Sequence, residues 1–119
     1  MANPNIVSVT DIRGKTSVQE IGTSPAAIVS NAAASDSVYK INSLIVSNVD
    51  GTDAADITVD VFRSSTPYHL VKTVTVPADA TLVVISKETA IYLEEGDSIR
   101  CLASAAGDLE AICSYEIIS

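Results

Sequence analysis

The stretch VYKINSLIVSNVDGTDAADITVDVFR, Val38 to Arg63, decides the fold. Its first part, Val38 to Val49, sets Tyr39, Ile41, Ile45 and Val49 along one side and Val38, Leu44 and Val46 along the other. An extended run with apolar residues on both faces reads as a strand held between two layers or covered by a neighbour. The middle, Asp50 to Asp56, opens on Asp-Gly, a strong turn dipeptide. The last part alternates, with Ile57, Val59 and Val61 facing in and Thr58 and Asp60 facing out. A period of two residues is the signature of a half-buried β-strand.

The same period extends outward from this stretch. Upstream, NIVSVTDI (Asn5 to Ile12) alternates Val7 and Val9 with Ser8 and Thr10 and predicts a strand, followed by a turn at Gly14. TSVQEIG and SPAAIVSN predict two more, the second with Pro25 near its start, where a missing N–H does least harm. NAAASDS, Asn31 to Ser37, predicts a loop, because Ser and Asp compete with helical hydrogen bonding. Downstream, TPYHLVKTVTV is a strand stopped by Pro77, ADATLVVIS another, and IYL leads into a turn at Glu94-Glu95-Gly96-Asp97. Ser98 to Ala103 and Leu109 to Ile118 are expected to pair as a hairpin across SAAGD. Eight to nine short strands without an amphipathic helix predict an all-β protein, an antiparallel β-sandwich or a jelly-roll-like fold. A length of 119 residues fits one domain, 1–119, in which residues 1–12 are expected to form an N-terminal arm or a strand exchanged with a neighbour.

Composition narrows the function classes. A hydrophobic fraction of 47% argues against disorder. Aromatic residues make up only 4%, so the core must be built from Val, Ile, Leu and Ala. Seven Lys and Arg against fifteen Asp and Glu give a net charge of −8, which repels phosphate backbones and anionic lipid heads. No nucleic-acid partner is expected. No apolar run approaches the roughly 20 residues of a membrane span, so no membrane partner is expected either. The N-terminal residues MANPNIVSVT show neither a basic nor an apolar signal-peptide region, and a cytoplasm is the expected place of synthesis.

The residues that carry chemistry in other proteins have plain structural readings here. Cys101 and Cys113 fall on the inner face of the final two strands, either as small buried thiols or as a disulfide. His69 is the one histidine, and no G-x-S-x-G elbow accompanies it. Asp50, Asp53 and Asp56 are a weak Ca²⁺ candidate, since the spacing is not that of an EF-hand and no Glu closes the loop. Glu94, Glu95 and Asp97 sit in one tight turn and are expected to point to solvent rather than to flank a substrate as paired carboxylates do. Tyr68 and Tyr92 are the tyrosines left free for stacking, with Tyr39 and Tyr115 on apolar faces. No cofactor and no enzymatic activity are expected.

Two segments carry a family likeness. They are YKINSLIVSNVDGTDAADITVDVF and VPADATLVVISKETAIYLEEGDSIRCLASAAGDLEAICSYEII, together about Tyr39 to Ile118. In order, they resemble small virion structural proteins of tailed bacteriophages that infect marine bacteria and cyanobacteria. The resemblance implies a non-enzymatic β-sandwich that works as a repeated part of a virion assembled in the host cytoplasm. Its implied partners are copies of itself and the major capsid or tail proteins. The implied role is a capsid decoration (cement) protein bridging major capsid subunits. A neck, tail or fibre-adaptor protein and a carbohydrate-binding sandwich for host adhesion are the alternatives.

Overall fold

The computed structural model describes residues 3–119. Met1 and Ala2, part of the expected arm, lie outside the described residues. Nine strands form: β1 (Ile12–Glu20), β2 (Ala26–Ser30), β3 (Val38–Asn48), β4 (Ala55–Arg63), β5 (Thr66–Val76), β6 (Thr81–Ile85), β7 (Ile91–Leu93), β8 (Ser98–Ala103) and β9 (Leu109–Ile118). A 3-10 turn, Lys87–Thr89, separates β6 from β7. The strands make two antiparallel sheets. One has the order β1-β9-β3-β6, with β7 also beside β3, and the other has the order β2-β8-β4-β5. The chain is a β-sandwich.

The core lies between the sheets and is aliphatic, as the composition requires. Ile41, Leu44, Val46, Leu109, Ala111 and Cys113 of the first sheet meet Ile57, Val59, Ile99, Cys101 and Ala103 of the second. Tyr39 and Tyr115 stack at the edge of this core, with ring centroids 5.7 Å apart. Removing these side chains from water is the main favourable contribution to folding.

Several expectations are corrected by the way the strands pair. Ser98–Ala103 and Leu109–Ile118 do not form a hairpin. β8 pairs with β2 and β4, whereas β9 pairs with β1 and β3 in the opposite sheet. The five residues between them cross the sandwich instead of reversing within a sheet. That distance is about 10 Å, within reach of five extended residues. The hairpin in this fold is β4–β5, closed by Ser64-Ser65, both in the left-handed region. Two consecutive residues with positive φ give the twist that a two-residue hairpin needs.

The strand expected from Asn5 does not form, and Gly14 is not a turn. Ser8 N–H bonds back to Asn5 O in a local turn, and Gly14 lies inside β1, opposite Glu116. Extended pairing begins at Ile12 because β9 offers a continuous partner from there. A bulge at Asn42, between Ile41 and Ser43, shifts the phase of β3. Tyr39 and Ile41 share the inward face, but beyond the bulge Leu44 and Val46, expected on the other side, take that face and Ile45 turns out. Irregular pairing around Val59 accompanies a second departure: Asp60, expected at the surface, is 4% exposed.

Two asparagines fasten the loops at the ends of the sandwich. Asn31 donates to Ser37 O and Leu93 O and accepts from Ser35 Oγ, holding the loop before β3 against β7. Asn48 donates to Asp53 O and Val76 O and accepts from Asp50 N–H, holding the β3–β4 loop against the end of β5. Both side chains are buried with both amide ends satisfied, which is the condition for a polar group to stabilise a core.

Candidate functional surfaces

Cross-strand pairs share a face of the sheet, so the register gives the composition of each outer surface. On the first sheet, Val18 lies opposite Ile112, Ile112 opposite Ile45, and Ile45 opposite Val83. An apolar ladder therefore runs across four strands on the outward side. Val18 is 71% exposed and Val83 58%. One flanking row is made of hydroxyls, Thr16, Ser114 and Ser43. The other is Glu20, Glu110, Ser47 and Thr81. Glu20 and Glu110 are like charges directly opposite, an arrangement that lowers the stability of an isolated sheet.

The second sheet covers its own outward face differently. Asp60 lies opposite Arg100, and the two form a two-point ion pair, Nε to Oδ1 at 2.9 Å and Nη2 to Oδ2 at 3.1 Å. The guanidinium stacks over Phe62, 3.9 Å from the ring centre. A planar fork matched to a carboxylate and to a ring face is a use of Arg that Lys cannot reproduce.

The acidic turn after β7 is only partly a surface feature. Glu94 is exposed, but Asp97, expected in solvent, is buried. It accepts from Arg63 Nε, Arg63 Nη2 and Glu94 N–H. Burial works to raise the Asp97 carboxyl, but the Arg63 hydrogen bonds and the Glu94 N–H outweigh it and hold the group below the ordinary carboxylate range. Arg63 is raised in turn, chiefly by its hydrogen bond to Asp97. Glu94 Oε2 takes the remaining Arg63 contact at 3.0 Å, and Glu95 accepts from Asp36 N–H. These carboxylates pin a turn to the β4–β5 hairpin and to the loop before β3.

The Ca²⁺ candidate residues are spread over separate tasks. Asp50 Oδ1 accepts from Thr52 and Asp53 N–H, and Asp56 Oδ1 accepts from Thr75 Oγ1. Among the described residues no three His, Cys, Asp or Glu side chains converge as metal ligands. Asp108, which sequence spacing did not single out, is held above the ordinary range by lost hydration and by the Asp50 and Asp53 charges. It belongs to the β8–β9 crossing, so only the three-dimensional path brings it to that loop.

Cys101 and Cys113 face inward from opposite sheets as buried free thiols. Burial pushes each thiol up to about 12, and Cys113 and Asp60 add to the effect at Cys101. At neutral pH both are un-ionised, which removes the nucleophilic form. His69 is exposed on β5, in the register position opposite Asp60.

The tyrosines expected to be free converge. Tyr68 and Tyr92 line one groove with Val61, Arg63, Leu70 and Ile91, with a volume of about 340 Å³. It lies where the β4–β5 hairpin of one sheet approaches β7 of the other.

No family model matches this sequence, and no curated protein matches it. Among solved structures, the fold is similar to a chain of Bacillus endospore appendages, described as a novel family of disulfide-linked pili. The TM-score is 0.54 at 14% identity, covering 92% of this chain and 87% of the other. That likeness concerns the sandwich alone.

Proposed function

We propose that this chain is a non-enzymatic structural subunit of a tailed-phage virion, acting as a capsid decoration protein that bridges major capsid subunits. The observation that carries this reading is the Val18–Ile112–Ile45–Val83 ladder. A bare apolar row crossing a whole sheet is a surface that a neighbouring protein covers in a permanent assembly. The order of motifs from Tyr39 to Ile118 supplies the phage context. The buried, un-ionised thiols suit a part held by packing rather than by cross-links. The acidic surface keeps free copies apart and away from packaged DNA. The pilus likeness adds that a sandwich of this kind occurs in one filament-forming protein, by that structure's own description.

The test compares particles with and without the protein under heat and osmotic shock. Loss of resistance in the depleted particles is expected, restored by wild-type protein but not by Val18→Asp/Ile112→Asp. Unchanged resistance removes the decoration role. Copy number then separates it from a neck, tail or fibre-adaptor role: hundreds per particle support decoration, and tens support the alternative.

A second reading is favoured by the Tyr68–Tyr92 groove. Two exposed rings beside Arg63 suit the apolar face and hydroxyls of a sugar ring. A host-glycan array probed with wild type and Tyr68→Ala/Tyr92→Ala decides it, and no difference between them eliminates adhesion through this groove.

A further inference from the structure

We infer that the segment Asn3–Val9 of one copy adds as a strand to the free edge of β1 in a second copy. This deepens the subunit reading and rests on it, by naming the contact through which copies join. The segment has the sequence of a strand and no strand to belong to. Ile6, Val7 and Val9 recur among small polar residues, yet the segment joins neither sheet. Val7 is 89% exposed and Ile6 55%. It is held by the local Asn5–Ser8 turn, by Val7 N–H on Asn5 Oδ1, and by one exposed side-chain bond from Asn3 to Glu94. Its release costs little.

The anchor of the segment stays in place. Thr10 and Asp11 N–H both donate to Ser119 O, and Ser119 N–H donates to Asp11 O. The exchanged piece therefore begins before Thr10, and its seven residues span at most about 25 Å when extended.

The acceptor follows from comparing the edges. β2 has a register shift, and two of its carbonyls are already taken: Ser17 Oγ donates to Ile28 O and Gln19 Nε2 to Ala27 O. β5 contains Pro67, Thr73 at positive φ and two register shifts along its pairing with β4. β6 has five residues and a shift of its own, and β7 has only three residues. These are devices that stop edge-to-edge pairing. β1 is nine residues long, keeps a continuous register with β9, and has neither Pro nor bulge. It is the edge open to another strand.

Charge selects the donor. The subunit carries −8, so two copies repel. Asn3 to Thr10 contains no Asp, Glu, Lys or Arg, and all fifteen acidic residues come after it. This neutral segment approaches Arg13, Lys15 and Glu20 on β1 without a like-charge clash. Pairing there also extends the outward row that ends at Val18, which lengthens the ladder by one strand.

The test uses the full chain and an Ile6→Asp/Val7→Asp variant, both exposed positions that leave the sandwich core untouched. Sedimentation equilibrium gives association, and amide hydrogen exchange gives its location. The expected result is association of the full chain, about tenfold or more weaker in the variant. Protection of the β1 amides that point away from β9 should rise with concentration in the full chain and be lost in the variant. Association unaffected by the substitutions, with no added β1 protection, overturns strand exchange and leaves the subunit reading standing. A full chain that stays monomeric at every concentration also overturns it, and the particle test then judges the subunit reading separately.

Discussion

The two outward faces of the sandwich are built on opposite plans. The second sheet places Asp60 against Arg100 and lays the guanidinium on Phe62, so its charged and aromatic groups satisfy one another. The first sheet places Val18, Ile112, Ile45 and Val83 in an outward row, with Val18, Ile112 and Val83 exposed, beside Glu20 and Glu110 facing each other. The first plan contributes to the stability of the single chain. The second gives the single chain little, and in the proposed role it acts when a neighbour lies against it.

Breaking the self-satisfied face should have the largest effect. Arg100→Ala leaves a buried carboxylate without its partner and should cost about 3–5 kcal/mol in urea unfolding. The double change Asp60→Leu/Arg100→Met should recover most of that loss, since an apolar pair of similar size needs no compensation. A single-variant cost below about 1 kcal/mol would mean that the pair behaves as an exposed surface bridge.

Asp97 extends the contrast to pH. Its carboxyl is lower in the folded chain than in the unfolded one, so its contribution is full above the unfolded value of about 3.9 and fades as pH falls through the folded value. Asp97→Asn should therefore be less stable than wild type at pH 7, with the gap closing in acid below about pH 4. Thermal melts across pH 2–7 measure this. A constant gap at every pH would assign the loss to packing rather than to charge.

The smallest effect on the isolated chain belongs to the bare face. Val18→Thr with Ile112→Thr should change unfolding free energy by no more than about 0.5 kcal/mol, because both side chains already meet water. The same pair should weaken association or particle binding. A large loss of subunit stability would show that the ladder serves the fold itself.

Much of the architecture was legible from alternation, and the misses share one cause. A period of two tells which side chains share a face, and so it places Cys101 on β8 and Cys113 on β9 inward, where they lie. It does not tell which strand lies alongside, and SAAGD serves a crossing as well as a hairpin. Bulges leave no mark in the pattern either, so alternation groups Ile45 with Tyr39 and Ile41, whereas beyond Asn42 it turns to the opposite face. Asp60 read as surface because its burial depends on Arg100, forty residues away. Asn5 to Ile12 read as a strand because its residues suit one, but suitability needs a partner to become structure. Of the surfaces, Tyr68 and Tyr92 were legible singly, while their shared groove and the four-strand ladder required the register.

The path of the chain between the sheets also sets a timescale. Apart from β4–β5 and β6–β7, successive strands lie in opposite sheets, so most pairs join residues distant in sequence. Such topologies close large loops before contacts compensate, and they fold in milliseconds to seconds rather than microseconds. The reverse path undoes many of those long-range pairings together, and its rate rises steeply with temperature. How long such a chain outlasts heating is then set by that barrier, a property read as a half-life rather than as an equilibrium stability.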